Sequence, residues 1–110
     1  MTPTLMQTVS LRANELLSRD DVDAVVVSHG TDTVEETMLA VDLLRSRSHA
    51  KPVVFVAAMK SLADASPDGP ANLRDALLVA ASKRTPKGTF LVVNGEIHCA
   101  WHVTKTDASN

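Results

Sequence analysis

The sequence predicts an α/β protein built as a three-layer parallel sheet, with right-handed βαβ crossovers and a terminal β-hairpin. Short apolar runs at residues 24–28, 53–56 and 90–93 are rich in β-branched side chains, which is typical of strands buried on both faces. Segments with helical spacing of apolar residues separate these runs. Strands joined by helices pair in parallel, and such crossovers are almost always right-handed. The Asn94-Gly95 pair after the third run predicts the hairpin.

Length and composition narrow the class of protein. The 110 residues suffice for one domain with a core, since 45% are apolar and 22% are charged. The net charge of −2 and the scattered basic residues argue against nucleic-acid binding. Cys99 is the single cysteine, so a disulfide framework and a thiolate zinc cluster are excluded. No apolar run approaches the roughly 18 residues of a membrane span, and no signal-peptide pattern is seen. We expect a cytoplasmic protein, unless a longer chain carries an upstream signal peptide.

The first predicted helix begins at Thr2-Pro3, where a capping hydroxyl precedes a proline at the first helical position. Its apolar face is formed by Leu5, Val9, Ala13 and Leu16. It fades near residues 19–21, ahead of the first strand.

The second predicted helix begins near Thr33, which has capping-box spacing with Glu36. Arg45 and Arg47 suit the negative end of its dipole. Its apolar face is formed by Val34, Met38, Val41 and Leu44.

The third predicted helix opens at Pro70, after a second strand and a loop over residues 59–69. Its predicted inner face is formed by Leu73, Ala76, Leu77, Ala80 and Ala81. A turn at residues 86–88 leads into the third strand, and a final short strand runs through Ile97 to Val103.

The strongest candidate site is the turn between the first strand and the second helix, which contains Thr31 and Asp32. In open α/β sheets, ligands bind outside the carboxyl ends of the strands. The free N–H groups of a helix N-terminus suit a carboxylate, and the Asp32 carboxylate suits an ammonium group. Together these features favour an α-amino acid as ligand. The alternative is that Thr31, Asp32 and Thr33 only cap the helix.

A second candidate residue, Lys105, lies just past the last predicted strand. A desolvated amine beside a carboxylate and a hydroxyl could hold a proton for transfer, because burial shifts the pKa of lysine readily. The alternative is an ordinary surface lysine.

Other polar residues have structural interpretations. Residues 68–70 and Asn72 are interpreted as a turn with a helix cap. His98 and His102 would face one side of a strand and Cys99 the other, which fits no strong metal-ligand pattern. We therefore predict no metal site.

Residues 29–37, His-Gly-Thr-Asp-Thr-Val-Glu-Glu-Thr, resemble the second active-site signature of the bacterial-type L-asparaginase (asparaginase/glutaminase) family. Further segments resemble the strand, loop, helix and hairpin that follow in that family: 51–54, 58–59, 68–70, 72–73, 94–98 and 103–106. The resemblance covers nearly the whole chain. It implies that residues 1–110 are the central part of an asparaginase N-terminal α/β domain.

The resemblance also implies a reaction and a site. The family hydrolyses L-asparagine to L-aspartate and ammonia, some members take L-glutamine, and neither metal nor organic cofactor is needed. By this resemblance, Thr31 would orient or activate the attacking group. Asp32 would bind the substrate ammonium and pair with Lys105, which would assist proton transfer. Full-length relatives are homotetramers.

Several family features have no counterpart in the sequence. The primary threonine of the family lies in an N-terminal Thr-Gly-Gly-Thr-Ile motif, which these residues lack, together with the Ser-rich substrate segment and the C-terminal domain. Segments 57–61 and 101–102 depart from the family pattern, while Thr31, Asp32 and Lys105 match it. We expect a truncated or mis-started asparaginase that is inactive alone.

Three further expectations follow from that difference. One alternative is a non-catalytic remnant that binds aspartate or asparagine. Another is that Thr31 itself is the nucleophile, with Lys105 as its base. Without the strand that precedes it in relatives, the first strand becomes an open apolar edge, so we expect the chain to self-associate.

Overall fold

The computed structural model describes residues 3–30, 33–45, 51–57, 68–93 and 95–100. The elements follow the predicted order of helices and strands: α1 (Pro3–Leu17), β1 (Val25–His29), α2 (Val34–Leu44), β2 (Pro52–Ala57), α3 (Asp68–Ala81), β3 (Gly88–Val93) and β4 (Glu96–Cys99). Within these ranges, no helix is long and apolar enough to cross a membrane.

The four strands form one sheet in the order β1-β2-β3-β4. β1, β2 and β3 are parallel, and Val27, Phe55 and Leu91 lie side by side in register. β4 returns antiparallel to β3, with Val93 opposite Glu96. The two-residue connection includes Gly95 at φ 76°, a left-handed conformation that favours glycine. The parallel sheet and its terminal hairpin are confirmed.

The core lies on both faces of the sheet, because alternate residues of a strand point to opposite sides. Val53, Phe55 and Ala57 of β2 pack in one cluster with the apolar side chains of α1 and α2. Val54 and Val56 pack in a second cluster with α3. All six residues of β2 are buried, so the three-layer arrangement is also confirmed.

The two βαβ crossovers have opposite hands. β1 to β2 and β2 to β3 are steps in the same direction across the sheet, but α2 and α3 pack on opposite faces. Equal steps over opposite faces are opposite in hand, so the prediction of right-handed crossovers holds for only one of them. α2 packs beside α1. Both helices lie on the face of the sheet opposite α3.

The inner face of α3 differs from the prediction. Asn72 and Ala76 are buried, whereas Leu73 is 45% exposed and Leu77 is 52% exposed. Val79 and Ala80 complete the contact with the sheet. Apolar residues of α3 lie on more than one side of the helix, so their spacing does not determine which side faces the sheet. Small side chains on the inner side allow the helix to pack closer to the sheet.

The predicted faces of α1 and α2 need smaller corrections. Leu5 is 51% exposed and Leu44 is 54% exposed, while the buried Ser10 faces the core. The Ser10 hydroxyl donates to the Met6 carbonyl at 2.9 Å, which satisfies its burial.

The predicted amino-terminal cap of α2 does not form, because Thr33 makes no side-chain capping bond and so no capping box with Glu36. At the carboxyl end, Arg45 is the C-cap residue, as its predicted place at the negative end of the dipole requires, while Arg47 lies outside the described residues. Arg45 donates from Nη1 to the Gly88 carbonyl at 2.7 Å and from Nη2 to the Lys51 carbonyl. The guanidinium thus joins the end of α2 to the amino ends of β2 and β3.

Candidate functional site

The candidate site lies at the carboxyl edge of the parallel strands, where β1 ends at His29 and α2 begins at Val34. Thr31 and Asp32 are the two residues that join Gly30 to Thr33. Both lie outside the described residues, as does Lys105. The structure describes the contacts at the two ends of the turn.

One side chain, His29, contacts both ends of this turn. Its Nδ1 lies 2.6 Å from the Gly30 carbonyl oxygen, and its Nε2 lies 3.0 Å from Thr37 Oγ1. Thr37 is in the first turns of α2, and its Oγ1 lies 3.1 Å from the Thr33 carbonyl oxygen. The imidazole therefore connects the chain before Thr31 to the chain after Asp32.

The hydrogen positions in this network follow from the chemistry of its members. A carbonyl oxygen can only accept, so His29 Nδ1 carries the proton and donates to Gly30. In the neutral ring, Nε2 then accepts a hydrogen bond from the Thr37 hydroxyl. In the charged ring, Nε2 donates to Thr37, whose hydroxyl turns to the Thr33 carbonyl. Nδ1 is the donor to Gly30 in both states.

The network contacts the buried part of the fold. Thr37 and Phe55 have no exposed surface, and Met38 is also fully buried. The His29 ring centroid lies 6.1 Å from that of Phe55, with the planes tilted by 56°. The imidazole is thus fixed by a core aromatic side chain of β2 and by a core hydroxyl of α2, while Gly30 lies at the surface.

Asn72 supports the neighbouring strand end. It is 2% exposed and donates from Nδ2 to the Ala57 carbonyl, the last of β2, at 3.1 Å. The interpretation of Asn72 as a helix cap is therefore wrong, since it is the fifth residue of α3. Its signal in the sequence is the spacing of four to Ala76, which places both on the sheet-facing side of the helix.

The charged residues near the turn are acidic. Glu35 and Glu36 lie in the first turn of α2, where negative charge stabilises the helix dipole. Asp21 lies before β1, at the amino ends of the strands. Two hydrogen bonds from Arg19 hold the pKa of Asp21 below its usual value.

His98 and Cys99, the two described residues among the candidate metal ligands, do not lie in a metal site. His98 Nε2 lies 3.4 Å from a carboxylate oxygen of Glu96, and Cys99 is an exposed free thiol. His102 lies outside the described residues. In the part of the chain that the structure describes, no three His, Cys, Asp or Glu side chains group to hold a metal.

Comparison with protein families gives a match over the full length. The model described as "Asparaginase, N-terminal" matches residues 1–110. The chain is 46% identical over 99 residues to L-asparaginase 2 of Bacillus subtilis, covering 89% of this chain and 26% of that protein. It is 43% identical over 88 residues to a probable periplasmic L-asparaginase of Haemophilus influenzae, covering 79% and 25%. The chain spans about a quarter of the length of these relatives.

A solved structure shares the fold. The probable cytoplasmic L-asparaginase of Campylobacter jejuni superimposes with a TM-score of 0.84 at 34% sequence identity. The match covers 96% of this chain and 32% of that chain.

Proposed function

Because this chain belongs to the asparaginase family, we propose that it is the central part of an L-asparaginase-type amidohydrolase. Such an enzyme converts L-asparagine and water to L-aspartate and ammonia. The observation that carries the proposal is the turn between β1 and α2. It carries the Thr31-Asp32 pair of the family signature, and its flanks are tied together by His29 at the carboxyl edge of a parallel sheet.

The proposed roles follow the chemistry of amide hydrolysis. The C–N bond of the substrate side chain breaks, ammonia leaves with an added proton, and the oxygen of water ends on the carbonyl carbon. Asp32 binds the α-ammonium of the substrate, and Thr31 orients or activates the attacking group. Lys105, paired with Asp32, assists the proton transfer.

The acyl-transfer step of the family uses a threonine in a Thr-Gly-Gly-Thr-Ile motif, and the 110 residues contain no such motif. We therefore expect no ammonia release from the 110-residue polypeptide alone. The proposed activity belongs to an assembly or longer chain in which that threonine is supplied.

The test is a chimera in which this chain replaces the matching segment of the Bacillus subtilis L-asparaginase 2. We expect ammonia release from L-asparagine, reduced at least about 100-fold in kcat/KM by Lys105→Ala. Lys87→Ala is the matched control, since Lys87 is exposed in the turn before β3. A folded chimera without activity, or one indifferent to Lys105→Ala, contradicts the proposal.

Calorimetry separates hydrolysis from simple binding. Aspartate binding by the chimera without ammonia release would point to a binding remnant rather than an enzyme. L-glutamine assayed beside L-asparagine gives the preference between the two amides.

We propose the cytoplasm as the compartment. The Campylobacter jejuni relative is a probable cytoplasmic enzyme and the Haemophilus influenzae relative a probable periplasmic one, so fractionation of the native host is the measurement that decides.

A further inference from the structure

The geometry assigns His29 a positioning role: we propose that its Nδ1–H holds the peptide group between Gly30 and Thr31, while Thr37 holds the ring. The proposal rests on the proposed function only for the identity of the ligand that binds beside this peptide group. The orientation of the peptide and the binding of a ligand are measured separately below.

The first step is the covalent position of the contacted oxygen. The Gly30 carbonyl belongs to the same planar peptide unit as the Thr31 amide N–H. A bond of 2.6 Å from His29 Nδ1 to that oxygen therefore restrains the rotation of the whole unit. Thr31 is the first of the two predicted site residues, so the restraint acts at the entry to the site.

The second step is that the ring itself is anchored. His29 Nε2 contacts Thr37 Oγ1 at 3.0 Å, and Thr37 has no exposed surface. The Thr37 backbone N–H also donates to the Thr33 carbonyl at 3.1 Å. The anchor is thus an ordered helical turn that starts directly after the two site residues, and the imidazole spans the turn from one end to the other.

The third step separates positioning from simple packing. If His29 only filled space against Phe55, any side chain of similar size would replace it. If it positions the peptide, the replacement must place a donor where Nδ1 lies. The amide nitrogen of asparagine has the same number of bonds from Cβ as Nδ1, and that of glutamine has the same number as Nε2. His29→Asn can therefore keep the bond to Gly30, whereas His29→Gln can keep only the contact with Thr37.

The experiment on the 110-residue chain is NMR of the Gly30 carbonyl carbon, whose ¹³C shift reports the hydrogen bond to its oxygen. We expect His29→Asn to keep the wild-type shift and His29→Gln to move it upfield, as for the loss of one hydrogen bond. The same shift in both variants overturns the proposal. So does a larger change in His29→Asn than in His29→Gln.

A measurement on the wild-type chain keeps the proposal testable if a variant does not fold. Imidazole ¹⁵N shifts of His29 should show a protonated Nδ1, and a neutral ring protonated at Nε2 overturns the proposal. Thr37→Val removes the anchor hydroxyl and should move the Gly30 carbonyl shift toward that of His29→Gln, while Thr37→Ser keeps the hydroxyl and should not.

Titration with L-aspartate then addresses the proposed function alone. Where aspartate binds, we expect about three- to tenfold weaker binding in His29→Gln and restored binding in His29→Asn. Absence of binding by the folded Bacillus subtilis chimera contradicts the proposed function, and a Gly30 carbonyl shift that shows the bond to His29 leaves the positioning role supported.

Discussion

The Thr89 hydroxyl donates a hydrogen bond of 2.9 Å to the Asp42 carboxylate, joining β3 to α2 across 47 positions of the chain. Thr89 is 3% exposed and Asp42 is 5% exposed, so this is a buried polar contact between a strand and the helix that packs on it. A buried carboxylate depends on its donors, because the water it loses on folding must be replaced.

Thr89→Val should therefore destabilise the fold. Valine has nearly the same shape but no donor, so the Asp42 carboxylate loses a bond in the core, at a cost of about 1–3 kcal/mol in the free energy of unfolding. Thr8→Val is the matched control, because the Thr8 hydroxyl donates to the Thr4 carbonyl on an exposed face of α1. Urea unfolding followed by circular dichroism gives both values, and equal losses would contradict the importance of burial.

Asn72→Ala should also destabilise the chain by about 1–3 kcal/mol, because the buried Ala57 carbonyl loses its side-chain donor. Asn14→Ala removes a comparable bond to the Leu44 carbonyl at 2.8 Å, but at an exposed position. Water can replace that bond, so we expect a smaller loss. The same unfolding measurement ranks the two, and a larger loss at Asn14 would be the contrary result.

The two glycines at strand ends should respond differently to alanine. Gly88 has φ 144°, and a Cβ there would lie 3.2 Å from the Phe90 ring, so Gly88→Ala should cost more than about 1 kcal/mol. A Cβ on Gly30 meets no described atom within 4 Å, so Gly30→Ala should change stability by less than about 1 kcal/mol. Melting temperatures of the two variants provide the comparison. A Gly30→Ala chain that melts lower than Gly88→Ala would refute it.

How far the sequence predicts this fold depends on the kind of information each element needs. The strands follow from continuous β-branched runs, and β2 is buried along its whole length. The rotation of α3 needs the fold itself, because Leu73, Leu77 and Leu78 compete with Ala76 for the inner face. The opposite hands of the crossovers also need the fold itself, because they depend on which face of the sheet each helix packs against.

In the candidate site, too, some features are predictable from the sequence and others need the fold. Thr31 and Asp32 stand out in the sequence because a strand run ends and a helix pattern begins around them. The link from His29 to Thr37 does not, since it joins residues eight positions apart through side-chain contacts that only the packed turn creates. The sequence predicts only a local cap at Asn72 for the same reason, because its partner Ala57 is fifteen positions away.

The carboxyl of Asp21 should titrate below its usual range, because hydrogen bonds of 2.9 and 2.7 Å from Arg19 favour its charged form. A pKa lowered by folding adds stability above the unfolded value, and this is lost as pH falls through the folded value. Both side chains are exposed, so the effect should be small and weaken with salt. Carboxyl ¹³C titration should show the pKa of Asp21 rising toward normal in Arg19→Gln, and an unchanged value would contradict the cause.

The outer edge of β1 should govern self-association. Among the strands that the structure describes, β1 pairs with β2 alone, so its other edge has no strand partner within the described residues. Ser28 is exposed on this strand, and a charge there hinders edge-to-edge pairing. Ser28→Lys should shift the chain toward the monomer in size-exclusion chromatography, whereas Ser82→Lys, at an exposed position after α3, supplies the same charge away from the edge. If the wild type elutes as a sharp monomer, or both variants act alike, the edge is not the site of association. A monomer gained only by Ser28→Lys would place the contact on β1, because the two variants have the same net charge.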